Sequence, residues 1–216
     1  MSFLSELKSR ANALQGTELG AQRNLMATAE ACEAACRMAL AYLQDLCAQL
    51  NVIKPPATGS YSLDGRTPFP PLVQRNFRCD ARRKPLRHAE VCDYIGVGWD
   101  LLPATGPVVG CSVSVNFPPE LARVTERLAL GQITHERQEQ RHPDTGKLLA
   151  YVFDCQTEAR AFLTLKPDHD SGSIAFRVTN VGGFGLLQTR YPAAQVTPAL
   201  MDELAKKLVG QPSRFG

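Results

Sequence analysis

The chain has 216 residues, 44% of them hydrophobic and 21% charged, with a net charge of +3. That length can bury about 70% of the surface an unfolded chain exposes, so no disulfide or metal is needed for folding, and the composition excludes a disordered chain. The small positive charge does not by itself indicate nucleic acid, and no stretch of about 18 consecutive apolar residues marks a membrane span.

Phe3, Leu4, Leu7, Ala11 and Leu14 recur at helical spacing, and Gly16 is expected to end that short helix. Glu6, Lys8 and Arg10 interrupt the apolar residues there, unlike a secretory leader, and the acidic Glu6 argues against a helix lying on a membrane. A second helix is expected from Leu19 to Ile53. Its seam of Leu25, Ala29, Cys32, Cys36, Ala39, Leu43, Leu46 and Leu50 steps by four and three until Pro55-Pro56 stops it. At about 1.5 Å per residue it would run roughly 50 Å and need a partner along its length. The partner is either the first helix folded back as a hairpin or the same helix of a second copy, making a homo-oligomer through Leu25, Ala29, Cys32, Cys36, Ala39 and Leu43.

Residues 55–71, rich in Pro, Gly, Ser and Thr, suggest a linker between this hairpin (1–54) and a sheet unit (72–216), the whole folding as one cooperative domain. The period then changes to two. Val73, Phe77, Cys79 and Ala81 should face inward on one strand, and Val109, Cys111, Val113, Val115 and Phe117 on another. Between them, Val91 to Leu102 reads as a strand with a bulge at Gly96 and Gly98. Pro118-Pro119 opens a helix that Gly131 closes. A meander follows: 132–141 and 147–155 joined by the turn His142–Gly146, then strands around Ala159–Leu165, Ile174–Val178 and Phe184–Tyr191. Thr197 caps a last amphipathic helix, with Pro198 at its first position and Gly210 at its end. The expected fold is therefore α+β, an antiparallel sheet of about seven strands with the helical hairpin and the C-terminal helix packed on one face.

The densest cluster of charge is Arg75, Arg78, Arg82, Arg83, Lys84 and Arg87, with strand parity placing Arg78, Arg82 and Lys84 on one face. Such a row can hold phosphates or an acidic partner, although an outward charged face also keeps sheet edges apart. Nucleic acid is disfavoured because only Phe77 interrupts the row, and its parity points it inward. The loop Asp168-His169-Asp170-Ser171 gathers carboxylates, an imidazole and a hydroxyl, yet these residues also build a hairpin turn. Cys32 and Cys36 lie one turn apart without further metal ligands, and the sequence calls for no metal and no cofactor. His88, His135 and His142 have no adjacent nucleophile, though the fold can bring Cys92 or Cys155 to a distant histidine. Gly182-Gly183-Phe184-Gly185 sits between strands and is a turn, not a phosphate loop, and Trp99 belongs to the core. The seven cysteines, spread through apolar patterns, are expected to be reduced thiols in a cytoplasmic protein. These readings favour a non-catalytic interaction or ligand-binding module that self-associates through its long helix. The alternatives are a small-molecule enzyme with its site between sheet and helices, around His169 or Cys92, and an anion binder on the basic strand.

Overall fold

The computed structural model describes residues 3–87 and 89–216; before Gln22 the described side chains are those of Phe3, Leu7, Lys8, Arg10 and Asn12. His88 lies outside the described residues. In chain order come α1 (Phe3–Ile53), β1 (Leu72–Leu86), β2 (Ala89–Pro103), β3 (Gly110–Val115), α2 (Pro118–Leu130), β4 (His135–Arg141), β5 (Leu148–Gln156), β6 (Ala159–Asp168), β7 (Ser173–Thr179), β8 (Leu186–Pro192) and α3 (Pro198–Leu208). The architecture is α+β. One antiparallel sheet runs β1-β2-β6-β7-β8 and a smaller antiparallel sheet runs β3-β5-β4.

The expected helical hairpin is not formed, because α1 is one helix of 51 residues, about 75 Å long. A lone glycine such as Gly16 costs about 1 kcal/mol inside a helix. Breaking there would strand four N–H and four C=O groups at two new ends, a larger penalty. Phe3 and Leu7 on the expected apolar face are 76% and 47% exposed, while the side chains of Leu4, Ala11 and Leu14 lie outside the described residues. Among the described residues, α1 first meets the sheet region at Met26 and Thr28.

Eight strands in two sheets replace the seven expected in one. The chain turns from β5 into β6 at Thr157, whose backbone N–H and hydroxyl both donate to the Val109 carbonyl at 2.9 Å, and this corner separates the two sheets. β3 ends at Val115, so Val109 and Phe117, expected inward, are exposed.

Two bulges set the register of β1 on β2. Arg75 pairs with Asp100 and Arg78 with Gly98, so Asn76 and Phe77 together face Trp99, with Asn76 at φ 58°. The extra residue reverses parity. Leu72 and Gln74 are buried before it and Phe77 after it, leaving Val73 only half-buried. A second shift between Arg82 and Arg83 makes Asp93 the extra residue on β2. The bulge on β2 is thus at Asp93 and not at Gly96 or Gly98.

One face of the large sheet is covered. Cys32, Cys36, Ala39, Leu43 and Leu50 of α1, Met201, Leu204 and Leu208 of α3, and Phe215 pack with Val97, Trp99, Leu163, Leu165 and Phe176 in one continuous core. Trp99 stacks on Phe77 with ring centroids 5.3 Å apart. Residues 55–71 contribute Tyr61, Leu63 and Phe69 to the same core, with the Tyr61 hydroxyl donating to the Asn180 carbonyl at 2.6 Å. The 182–185 segment is the turn between β7 and β8. It passes so close to Gly59 that a Cβ there would overlap the Gly182 carbonyl.

Thr197 caps α3 as expected, its side chain accepting from the Leu200 N–H. Thr197→Ala should cost about 1 kcal/mol, read as a lower midpoint in chemical denaturation with an unchanged slope. No helix among the described residues is long and apolar enough to cross a membrane.

Candidate polyanion-binding face

Direct cross-strand partners in an antiparallel sheet share a face, so the register determines what the uncovered side of the large sheet displays. With Val97, Leu163 and Val178 inward, the outward rows are Arg78, Gly98, Phe162 and Thr179; then Asp80, Gly96, Thr164, Arg177 and Gln188; then Lys166, Ala175 and Arg190. Arg82 and Tyr94 form a further outward pair on β1 and β2. Among the described helices, the end of α2 at Ala129 and Leu130 borders this side beside Phe162. Three adjoining hollows of about 290, 580 and 380 Å³ run across it, the first two sharing Thr164 and Arg177 and the last two Lys166, Ala175 and Arg190.

Gly96 and Gly98 have a specific use here. A Cβ on Gly98 would come within 3.3 Å of the Phe162 ring, and one on Gly96 within 3.6 Å of the Tyr94 ring. At Gly98 even a Cβ would require the Phe162 ring to shift by a few tenths of an ångström, whereas at Gly96 a Cβ would just touch the Tyr94 ring. Both rings stay half-buried, Tyr94 directly across from the exposed Arg82 and Phe162 between Gly98 and Thr179.

Of the six cations expected in an anion row, only some serve this face. Arg78 and Arg82 are outward and exposed, and Lys84 lines the third hollow while pairing with Asp93 at 3.2 Å. Arg83 turns instead toward α1 and meets Glu33 at 3.3 Å. Arg87 pairs with Asp170, and Arg75 has its Nε buried without a hydrogen-bond partner. Asp100 engages both Arg78 (4.0 Å) and Arg160 (3.7 Å), and Asp168 engages Arg190 (3.8 Å). Among the described residues, Arg82, Lys166 and Arg177 make no ion pair. The anion row expected from sequence lacks Arg160, Lys166, Arg177 and Arg190, although the strict alternation of β6 and β7 puts the first three between buried neighbours and Arg190 lies on β8 directly across from Ala175.

The residues suspected of chemistry do converge, at a separate place. His169 turns inward from the β6–β7 turn and is 4% exposed. Its Nε2 lies 3.1 Å from Glu33 Oε1, which also accepts the Cys92 N–H at 2.6 Å. Burial opposes ionisation of Glu33 most strongly, but the Cys92 N–H, the His169 ring and the Arg83 guanidinium together outweigh it and hold the carboxyl below its ordinary value. A groove of about 700 Å³ between α1 and the β1–β2 hairpin runs beside this node, lined by Met26, Ala29, Glu33, Arg83 and Val91 among others. The node ties α1 to β2 and to the β6–β7 turn. His135 bonds the Ile133 carbonyl through Nδ1 at 2.8 Å, and His142 accepts the Asp144 N–H within its turn. Among the described residues no three His, Cys, Asp or Glu side chains form a metal-binding group.

Of the expected association seam, Cys32, Cys36, Ala39 and Leu43 are buried against the chain's own sheet, while Leu25 and Ala29 are half-buried. Searches of family models, of curated proteins and of solved structures each return no match to the chain.

Proposed function

We propose that the protein is a non-catalytic binding module whose uncovered sheet face takes single-stranded nucleic acid. The observation that carries this is the placement of Phe162 and Tyr94 over glycines, amid Arg82, Lys166, Arg177 and Arg190. Aromatic faces stack on any base, and the cations follow the phosphates without reading sequence. A duplex keeps its bases stacked internally, so the rings favour a single strand. The test is fluorescence anisotropy with labelled single-stranded DNA and RNA, their duplexes, and heparin as competitor. Binding of the single strands, lost on raising salt and weakened by Phe162→Ala, is the expected result. Equal binding to duplex and single strand, indifference to Phe162→Ala, or no binding at low salt overturns it.

A second reading concerns assembly, and rests on the length of α1 ahead of Met26. Most helical stability in proteins comes from packing of an apolar face, and the described apolar side chains of this segment, Phe3 and Leu7, are exposed. Pairing this segment antiparallel with that of a second copy, centred on Leu14, sets Arg10 opposite Glu18 in sequence. Light scattering on the full chain should give a dimer at micromolar concentration, and a strict monomer removes this reading.

A further inference from the structure

The sequence suggests seven dispersed thiols, but the fold gathers six of them in pairs. Cys111 and Cys155 are direct cross-strand partners on β3 and β5, a relation that sets their Cα atoms about 4.5–5.5 Å apart. Asn51 and Phe77 are joined by two hydrogen bonds, Asn51 Nδ2 to the Phe77 carbonyl at 2.9 Å and the Phe77 N–H to Asn51 Oδ1 at 2.8 Å. One helical turn before Asn51 is Cys47 and two residues after Phe77 is Cys79, so these two hydrogen bonds bring both cysteines together on the covered face of the sheet. Glu33 likewise accepts from the Cys92 N–H, which sets Cys36, one turn further along α1, against the Cys92 thiol. Cys32 is left over, its thiol directed at the Asp168 carbonyl 3.6 Å away.

We infer that Cys36–Cys92, Cys47–Cys79 and Cys111–Cys155 are three built dithiol sites that a small-molecule disulfide such as oxidised glutathione converts to internal disulfides, with Cys32 as the one remaining thiol. The pairs occupy places where a covalent link matters: two fasten α1 to the sheet, and the third fastens β3 to β5.

Each site divides its labour between two sulfurs. Cys92, Cys79 and Cys111 are held below the ordinary thiol value, first by the neighbouring partner thiol. Cys36, Cys47 and Cys155 are pushed up, first by that same neighbour and then by burial. Cys79 and Cys111 are also half-buried, not fully buried. Cys111 and Cys155 line an open cleft of about 440 Å³. The thiolate of Cys111 or Cys79 attacks one sulfur of oxidised glutathione and expels a glutathione thiolate. The partner then loses its proton and attacks the mixed disulfide, expelling the second. Two S–H bonds are exchanged for one S–S bond, and both protons and both electrons leave with two reduced glutathiones. Cys36–Cys92, with both thiols buried, reacts last.

The full-length folded protein is incubated in glutathione buffers of rising oxidised fraction, then alkylated, weighed intact and mapped by peptide mass spectrometry. Alkylatable thiols are expected to fall from seven to one, with Cys111–Cys155 and Cys47–Cys79 linked before Cys36–Cys92 and the last label on Cys32. Cys155→Ser should leave Cys111 holding a glutathione adduct, and Cys47→Ser should do the same for Cys79, each with the other two links intact. Cys32→Ser should keep all three links and lose the last label. An end product with fewer than three internal links, links joining other cysteines, or seven thiols still free overturns the inference.

Discussion

Phe162→Ala is expected to weaken single-stranded oligonucleotide binding about 5- to 150-fold, the equivalent of one lost base stack of about 1–3 kcal/mol. The ring lies over Gly98, so its removal leaves the backbone of β2 and β6 in place and alters mainly the platform. Gly98→Val offers the complementary test, because the new side chain displaces the ring without deleting it, and it should weaken binding in the same direction. Charge reversal of Lys166 and Arg177 acts through a different variable. Every single-strand phosphate that a cation no longer neutralises makes the slope of log K against log salt shallower by about 0.7. The double variant should therefore bind poorly at low salt and show a salt slope shallower by about 1.4. A variant pair that changes affinity but not the salt slope would show that these cations hold no phosphate. Arg83→Glu is the control, since Arg83 faces Glu33 on the covered side; it should lose stability and leave the salt slope unchanged.

Glu33→Ala is expected to destabilise the fold by about 3 kcal/mol, within the range for stripping the counter-charge from buried polar partners. One carboxylate serves three groups on two other parts of the chain: the Cys92 N–H, the His169 ring and Arg83. His169 and the Cys92 backbone are both buried and have no water to replace the lost acceptor, whereas Arg83 is half exposed and resolvates. Glu33→Gln keeps one acceptor oxygen and should cost less, about 1–2 kcal/mol. The effect depends on pH with a definite sign. The folded carboxyl titrates below its unfolded counterpart, so its contribution is complete above the ordinary glutamate value of about 4.3 and is lost as pH falls through the lower folded value. Urea unfolding of wild type and Glu33→Gln at stepped pH should therefore show a gap that is widest near neutrality and narrows in acid. A gap that stays constant to pH 3 would show that the charge of Glu33 contributes nothing.

The apparent contrast between the basic row and the basic face has a simple origin. Strand parity from Arg78 to Lys84 is readable from neighbouring residues alone, and Arg78, Arg82 and Lys84 do point outward. Whether an outward cation is free is a different matter, because its partner comes from elsewhere: Asp100 for Arg78, Asp93 for Lys84 and Asp170 for Arg87. The row by itself disfavours nucleic acid for want of aromatics, since only Phe77 stands within it. Tyr94 and Phe162 reach the face from β2 and β6, one strand and two strands away from the cations of β1. The node around Glu33 is equally hidden in the sequence, as it joins residues 33, 92 and 169.

The amino-acid sequence alone determined the α+β class, the turn at 142–146, the capping of α3 and the inward residues of β6 and β7. All of these rest on local periodicity and on turn and cap chemistry, which act over a few residues. It set a break in α1 at Gly16 that the structure does not have, because a single glycine penalises a helix by an amount that the rest of the chain can outweigh. Tertiary structure decided the parity change at Asn76, the division into two sheets at Thr157, the pairing of six cysteines and the aromatic, basic character of the open face. Those features depend on which strands lie side by side, and register between distant segments is set by the packing of the whole core, not by the residues that flank each site.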